Sequence, residues 1–346
     1  MSKSVSVKDI AKKLNISLST VHKALTGKPG VGEERRRQVL ETAHEMGYTV
    51  NPVAQCLSRK DMKIGIFMPS QWQEYFGSMR DGMKKELEEL EKYKVKGYFY
   101  DISSDFSESG AGCALEWLSQ NAVDALIYCP SMYDLNEAFV SAVKKSGIPV
   151  FLAGDGVCEL ESVSKIETDA VLAAKLAADF LRCVHPDGAK AAVFTGTLRI
   201  KNHREKAEAF TERLESFGGK VLHVCETYED EKKIYDYIKE IAEAGDINSV
   251  YAATATSLPI CRFIEENGLE NKISLVCTDI FEELRYYMKK GIVKASVFQN
   301  QEKVGKHSVR SVYNYLVAKN SYSGKTTESA GTVYVRPSLL LLADVE

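Results

Sequence analysis

The chain has 346 residues, 45% hydrophobic and 27% charged, with a formal net charge of −3. That length exceeds one ordinary core and predicts two or three domains, and the composition excludes a disordered or fibrous chain. Residues 1–60 hold eleven Lys and Arg against five Asp and Glu, so a head of net +6 precedes a body of net −9. A basic head suits a polyanion; an acidic body does not.

The first elements organise the rest. Val7, Ile10, Ala11 and Leu14 share one helical face, and Asn15-Ile16-Ser17 then breaks the helix. Asn15 tolerates the left-handed conformation that ends a helix, and Ser17 can cap the next by accepting a backbone N–H. The second helix buries Val21, Ala24 and Leu25, leaving Leu18, Ser19, His22 and Lys23 outward. Two short helices about a tight turn make a helix-turn-helix, whose second helix fits the major groove of DNA. A turn at Lys28-Pro29-Gly30 leads to a third helix over residues 32–46, with Val39, Ala43 and Met46 inward and Gly47 as its stop. Arg35, Arg36 and Arg37 lie in its first turns, where phosphate contact is as reasonable as a solvated face. A helix of barely two turns follows from Asn51 and Pro52. It is too short to hold alone in water and should order only against DNA and its twin in a dimer.

From Met62 strands and helices alternate. The first series predicts strands near residues 63–69, 95–100, 123–129 and 149–153, with helices near 76–93, 107–120 and 135–146 between them. A second starts near Thr168 with a helix to Cys183, then strands near 191–195, 220–225, 249–253, 273–278 and 294–298. Helices near 201–217, 230–244, 258–267, 281–290 and 302–318 accompany those strands, and residues 332–342 form a final extended segment. Continuous apolar strands alternating with helices mean parallel sheets covered on both faces. Two such series mean two α/β lobes, with a ligand cleft at the carboxyl ends of their strands.

Residues 7–60 resemble the lactose-repressor (LacI/GalR) family of bacterial transcription regulators. The shared residues are the D-I-A-x-x-L-x-I-S-x-x-T-V run, the third helix ending M-G-Y, and Asn51, Ala54 and Leu57. Residues 62–340 resemble the family's effector domain, a periplasmic binding protein type I-like fold. The implied organisation is an all-α head over 1–49, a hinge helix and linker over 50–61, and a two-lobed α/β domain over 62–346. It implies a repressor of transcription that is a homodimer or tetramer. Its partners are then operator DNA and a small effector, a sugar or sugar derivative, and it sits in the cytoplasm, on the nucleoid when bound. By the same resemblance Leu18 and Ser19 read bases, Lys23 takes the place of a basic contact, and Ser17 and Thr20 touch phosphate. Leu57 matches the leucine that wedges into the minor groove. His22 stands where the family usually has Ser, and Val50-Asn51-Pro52 replaces the usual hinge start; both concern operator sequence.

In the body the resemblance implies ligand contacts from the aromatic pair Tyr75-Phe76, from Asp155, and from Arg204 and Lys206 in an R-x-R-x-x-G-F-like motif with Lys206 replacing the usual Arg. Asp279, directly after a strand, and Gln299, twenty residues on, complete the set. Such a kit suits a polyol: paired acceptors and donors for hydroxyls, and an aromatic face for the ring.

No G-x-G-x-x-G, G-x-x-x-x-G-K or G-x-S-x-G follows a strand, so nothing predicts an enzyme or a nucleotide cofactor. The eight cysteines form no C-x-x-C pair and have no His at ligand spacing, which predicts buried thiols in a reducing compartment and no metal. The sequence begins with a polar segment rather than a signal peptide, and no apolar run approaches the roughly 20 residues of a membrane span. Two alternatives stand: a nucleobase or a partner protein as effector, or a sugar-binding protein with no regulatory coupling.

Overall fold

The computed structural model describes residues 5–25, 29–46, 60–71, 73–102, 108–132, 134–320 and 331–344. The expected hinge helix, with Asn51, Ala54 and Leu57, lies outside them.

Among the described residues the head holds three helices, Val7–Leu14, Leu18–Leu25 and Glu33–Glu45. Asp9 anchors the first by accepting the Ser6 backbone N–H at 2.8 Å. Asn15 ends it at φ 49° and ψ 48°, and the Ser17 hydroxyl accepts the Thr20 N–H at 3.1 Å to open the second. Local sequence therefore sets the turn before any packing does. Ile10, Ala11, Val21, Ala24, Val39 and Ala43 form the head's buried core, rimmed by Val7, Leu14, Leu25 and Met46.

The body contains two six-stranded sheets with the same winding. In the first, β1 (Met62–Pro69), β2 (Val95–Ile102), β3 (Ala125–Tyr128), β4 (Val150–Ala153), β5 (Ser164–Thr168) and β11 (Gly331–Val335) lie in the order β2-β1-β3-β4-β5-β11, all parallel. In the second, β6 (Lys190–Thr195), β7 (Lys220–Glu226), β8 (Ser249–Ala252), β9 (Ser274–Thr278), β10 (Val293–Phe298) and β12 (Ser338–Leu340) lie in the order β7-β6-β8-β9-β10-β12. Only β12 runs antiparallel, against β10. Central strands such as β1 and β8 read as continuous apolar runs because helices cover both faces.

Three differences from the sequence expectation stand out, and the last two arise because the chain crosses between the lobes more than once. The sequence does not announce β5: Ser-Lys-Ile-Glu-Thr offers one apolar side chain, yet Glu167 is buried against Lys165 at 2.5 Å. The helix Gln301–Asn320 follows a second-lobe strand but packs on the first lobe, against the helix Gln73–Leu90. A methyl group on Gly82 would overlap the Glu302 carbonyl, and one on Gly305 would overlap the Met79 carbonyl. Two glycines thus allow a close approach of helix backbones that no larger residue permits. Finally, residues 331–340 are not one extended segment but β11 and β12, one in each sheet, parted at Arg336-Pro337.

The three crossing segments are tied together. The Thr168 hydroxyl donates to the Gln299 carbonyl at 2.7 Å, the Asp169 N–H to the Val335 carbonyl at 3.1 Å, and the Asn300 amide to the Arg336 carbonyl at 3.2 Å. Their carboxyl-end loops face one another across a cleft.

Candidate functional site

Each wall of the cleft is built from loops that leave the carboxyl ends of successive strands, where an open α/β sheet has free space and convergent backbone groups. The cavity holds about 100 Å³. From the first lobe come Tyr75 and Phe76 after β1, Ser131 and Met132 after β3, and Asp155 after β4. From the second come His203 and Lys206 after β6, Glu229 after β7, Thr254 and Thr256 after β8, and Gln299 after β10. An adjoining pocket of about 240 Å³ shares Tyr75, Glu229, Ala255 and Thr256 and extends to Glu231 and Phe281.

On the first-lobe wall, the Tyr75 hydroxyl donates to Asp155 Oδ1 at 2.9 Å, and its ring meets that of Phe76 edge-on at 5.0 Å between centroids. Burial opposes ionisation of Asp155, but the Lys206 ammonium, the Tyr75 hydroxyl and other nearby groups hold its carboxyl below the usual range. Burial and the same carboxylate keep Tyr75 protonated.

Opposite lies a buried polar chain. Lys206 is 2% exposed, and its ammonium donates to Gln299 Oε1 at 2.7 Å and to the Ala253 carbonyl at 3.2 Å. Gln299 in turn donates through Nε2 to Asp279 Oδ2 at 2.7 Å and through its backbone N–H to Oδ1 at 3.0 Å. Burial lowers the affinity of Lys206 for its proton, while three carboxylates, Asp155, Asp279 and Glu229, act to restore it. Burial raises the Asp279 carboxyl above its usual range, against the hydrogen bonds from Gln299 and the charge of Lys206.

His203 and Lys206 stand three residues apart on one helix face. Nδ1 of His203 accepts the Thr197 N–H at 3.1 Å, which puts the imidazole proton on Nε2. Burial pushes the ring's pKa down to about 4, so it is neutral at pH 7. The Glu229 carboxylate accepts the Thr254 hydroxyl at 3.2 Å and the Thr256 hydroxyl as well, and burial raises its pKa. At the cleft mouth, Arg199 of the second lobe forms a forked pair with Asp134 of the first at 2.9 and 3.1 Å.

Of the residues singled out by resemblance, Tyr75, Phe76, Asp155, Lys206 and Gln299 line the cavity. Asp279 does not: it is 2% exposed and sits behind Gln299, fixing the amide. Arg204 does not line the cavity either. It is exposed and its guanidinium donates to the Leu198 carbonyl at 2.9 Å. Two residues before Lys206 on a helix, it lies about 200° around the axis and cannot share the cleft face. His203, Glu229, Thr254 and Thr256 were not singled out, although the helical register of Lys206 points to His203.

In the head, Ser17, Leu18, Ser19, His22 and Lys23 are exposed on and just before the second helix. Thr20 and Arg36 are half-buried, and the Ser17 and Thr20 hydroxyls share a hydrogen bond of 2.8 Å.

Residues 64–320 match the periplasmic binding protein domain family. Catabolite control protein A of Priestia megaterium is 27% identical over 217 residues, an alignment that spans 62% of this chain and 62% of that protein. The lac repressor dimer bound to operator and the anti-inducer ONPF superposes with a TM-score of 0.63 at 18% identity, over 98% of each chain. GanP, a glucose-galactose binding protein from Geobacillus stearothermophilus, superposes with a TM-score of 0.67 at 19% identity, over 83% of this chain and 99% of that one. The match runs through both lobes, as the two-lobed reading expects, and this chain belongs to the periplasmic binding protein domain family.

Proposed function

We propose that the chain is a sequence-specific DNA-binding regulator, a repressor whose operator affinity is set by a polyhydroxylated small molecule held between the two lobes. The observation that carries this reading is the pairing in one chain of a basic helix-turn-helix head, its second helix exposing Leu18, Ser19, His22 and Lys23, with a two-lobed cleft lined from strand ends. The similar proteins named above are a control protein, a repressor and a binding protein, not enzymes. Among the described residues no helix is long and apolar enough to cross a membrane, and no three His, Cys, Asp or Glu side chains could hold a metal ion.

On this reading residues 1–49 are the head, 50–61 the hinge and 62–346 the effector domain. One recognition helix offers too few base contacts for genomic specificity, so a homodimer reads a palindromic operator. Ser17, Leu18, Ser19, Thr20, His22, Lys23 and Arg36 face the DNA, and Asn51, Ala54 and Leu57 form the hinge. In the cleft Tyr75, Phe76, Asp155, His203, Lys206, Glu229 and Gln299 face the ligand, because a polyol needs several fixed acceptors and donors on both walls. A ligand touching both lobes favours one lobe orientation by its differential affinity, and the hinge passes that change to the head. The test is fluorescence anisotropy of the full-length protein on genomic fragments, with and without monosaccharides. Specific binding that weakens with salt and shifts with one sugar supports the reading. Equal binding to all fragments, unaffected by every sugar, overturns it.

A further inference from the structure

We infer that the ligand of the cleft carries an ammonium group, an amino sugar being the simplest molecule that fits; this rests on the cleft being the effector site. Asp155, Glu229 and Asp279 stand in or directly behind the cavity, whose lining among the described residues holds a single ammonium, that of Lys206. Among the described residues none of the three carboxylates has a basic nitrogen within ion-pair distance. His203 does not redress the balance, because its Nδ1 accepts a backbone N–H and the ring is neutral.

The distribution of hydrogen bonds shows where the uncompensated charge faces. Asp279 is occupied by both N–H groups of Gln299, and Lys206 is directed at Gln299 Oε1 and the Ala253 carbonyl. Among the described residues, Asp155 on the first-lobe wall accepts only the Tyr75 hydroxyl, and Glu229 on the second-lobe wall accepts only threonine hydroxyls. Neutral donors do not cancel a carboxylate's charge. Closing the lobes on a neutral polyol would bury two carboxylates on opposite walls, and closing on a phosphate or carboxylate would add a third negative charge. An ammonium between Asp155 and Glu229 meets both walls with charge-assisted hydrogen bonds. The Tyr75-Phe76 pair adds aromatic surface that favours a cation.

The experiment is calorimetric titration of the full-length protein with D-glucosamine, D-galactosamine and D-mannosamine, each beside its parent hexose and that hexose's 6-phosphate. At least one amino sugar should bind ten times more tightly than its parent or better, with no heat from the phosphates. Asp155→Asn and Glu229→Gln should each close that gap. A parent hexose or a 6-phosphate binding as tightly as its amine overturns the ammonium assignment and leaves the effector cleft standing. Binding of none of the nine overturns both. The comparison within each set uses the native protein, so it holds even where a substituted chain fails to fold.

Discussion

Replacing Lys206 by Met keeps the length of the side chain and removes its charge, which isolates what the ammonium does beneath the cleft. Two charge-assisted hydrogen bonds are lost, to Gln299 Oε1 at 2.7 Å and to the Ala253 carbonyl at 3.2 Å. Each contributes about 1.5–3 kcal/mol, and the cost of keeping Lys206 out of water is recovered in return. The remainder is set by what stays behind: carboxylates with no neighbouring cation. Breaking a buried charge network from one side typically costs about 3–5 kcal/mol, and that is the expected loss at pH 8. The loss should depend on pH. The Asp279 carboxyl is already raised by burial, and Lys206 is among the groups holding it down. Without Lys206 the folded carboxyl binds a proton over a pH range, starting near 3.9, where the unfolded one has given it up. The folded state then holds more protons than the unfolded state, so stability falls as pH rises through that window. Urea unfolding followed by circular dichroism should show a smaller deficit at pH 5 than at pH 8. A loss below about 1 kcal/mol, or the same loss at both pH values, would refute the charge argument.

Gly82→Ala and Gly305→Ala each force a methyl group into a facing helix carbonyl, and should each lower stability by about 1–3 kcal/mol in thermal unfolding; an unchanged melting temperature would mean the two helices part freely. His203, with a pKa pushed down to about 4, binds fewer protons folded than unfolded, so its contribution grows as pH rises from about 4 to 6.5 and is lost as pH falls. His203→Gln should flatten the pH–stability slope in that window, and a slope equal to that of the native chain would assign it to other groups. Arg199→Ala removes an exposed pair with Asp134 and should change stability by less than about 1 kcal/mol. It should nonetheless shift small-angle scattering toward parted lobes, and scattering identical to the native chain would show that the pair does not hold the cleft mouth. Lys23→Ala should weaken binding to a specific fragment by about 1–3 kcal/mol, whereas an equal loss on random DNA would assign Lys23 to phosphate.

How much of this structure the sequence discloses depends on where the determinants lie. The head is legible because its signals are local: Asn15 in the left-handed region, the Ser17 cap and the Ile10, Val21 and Val39 faces all follow from neighbours in sequence. The central strands are legible because burial on both faces makes them continuous apolar runs. β5 escapes because Lys165 and Glu167 neutralise each other there, so a sheet strand reads like a loop. The placement of the helix Gln301–Asn320 escapes for another reason. Its periodicity is sound, but the choice of lobe rests on Gly82 and Gly305, whose meaning appears only when the two helices touch.

The cleft divides along the same line. Asp155, Asp279 and Gln299 follow strands directly, and parallel winding sends every such position toward one edge, so topology brings them together without detailed geometry. Glu229 reaches the cleft only because Tyr228 and Glu229 both take positive φ, at 55° and 57°. Neither is a Gly or Asn, and no local signal announces that turn. Position after a strand also does not separate a residue in the wall from one behind it. Asp279 and Gln299 share the same rule, yet Gln299 faces the cavity and Asp279 holds it there through two hydrogen bonds. The order matters for the ligand. With Asp279 spent on the amide, the Lys206 ammonium directed at Gln299 and His203 neutral, the carboxyl groups left facing the cavity are those of Asp155 and Glu229. A composition count finds the body acidic; only the hydrogen-bond directions show which two carboxylates a ligand must answer.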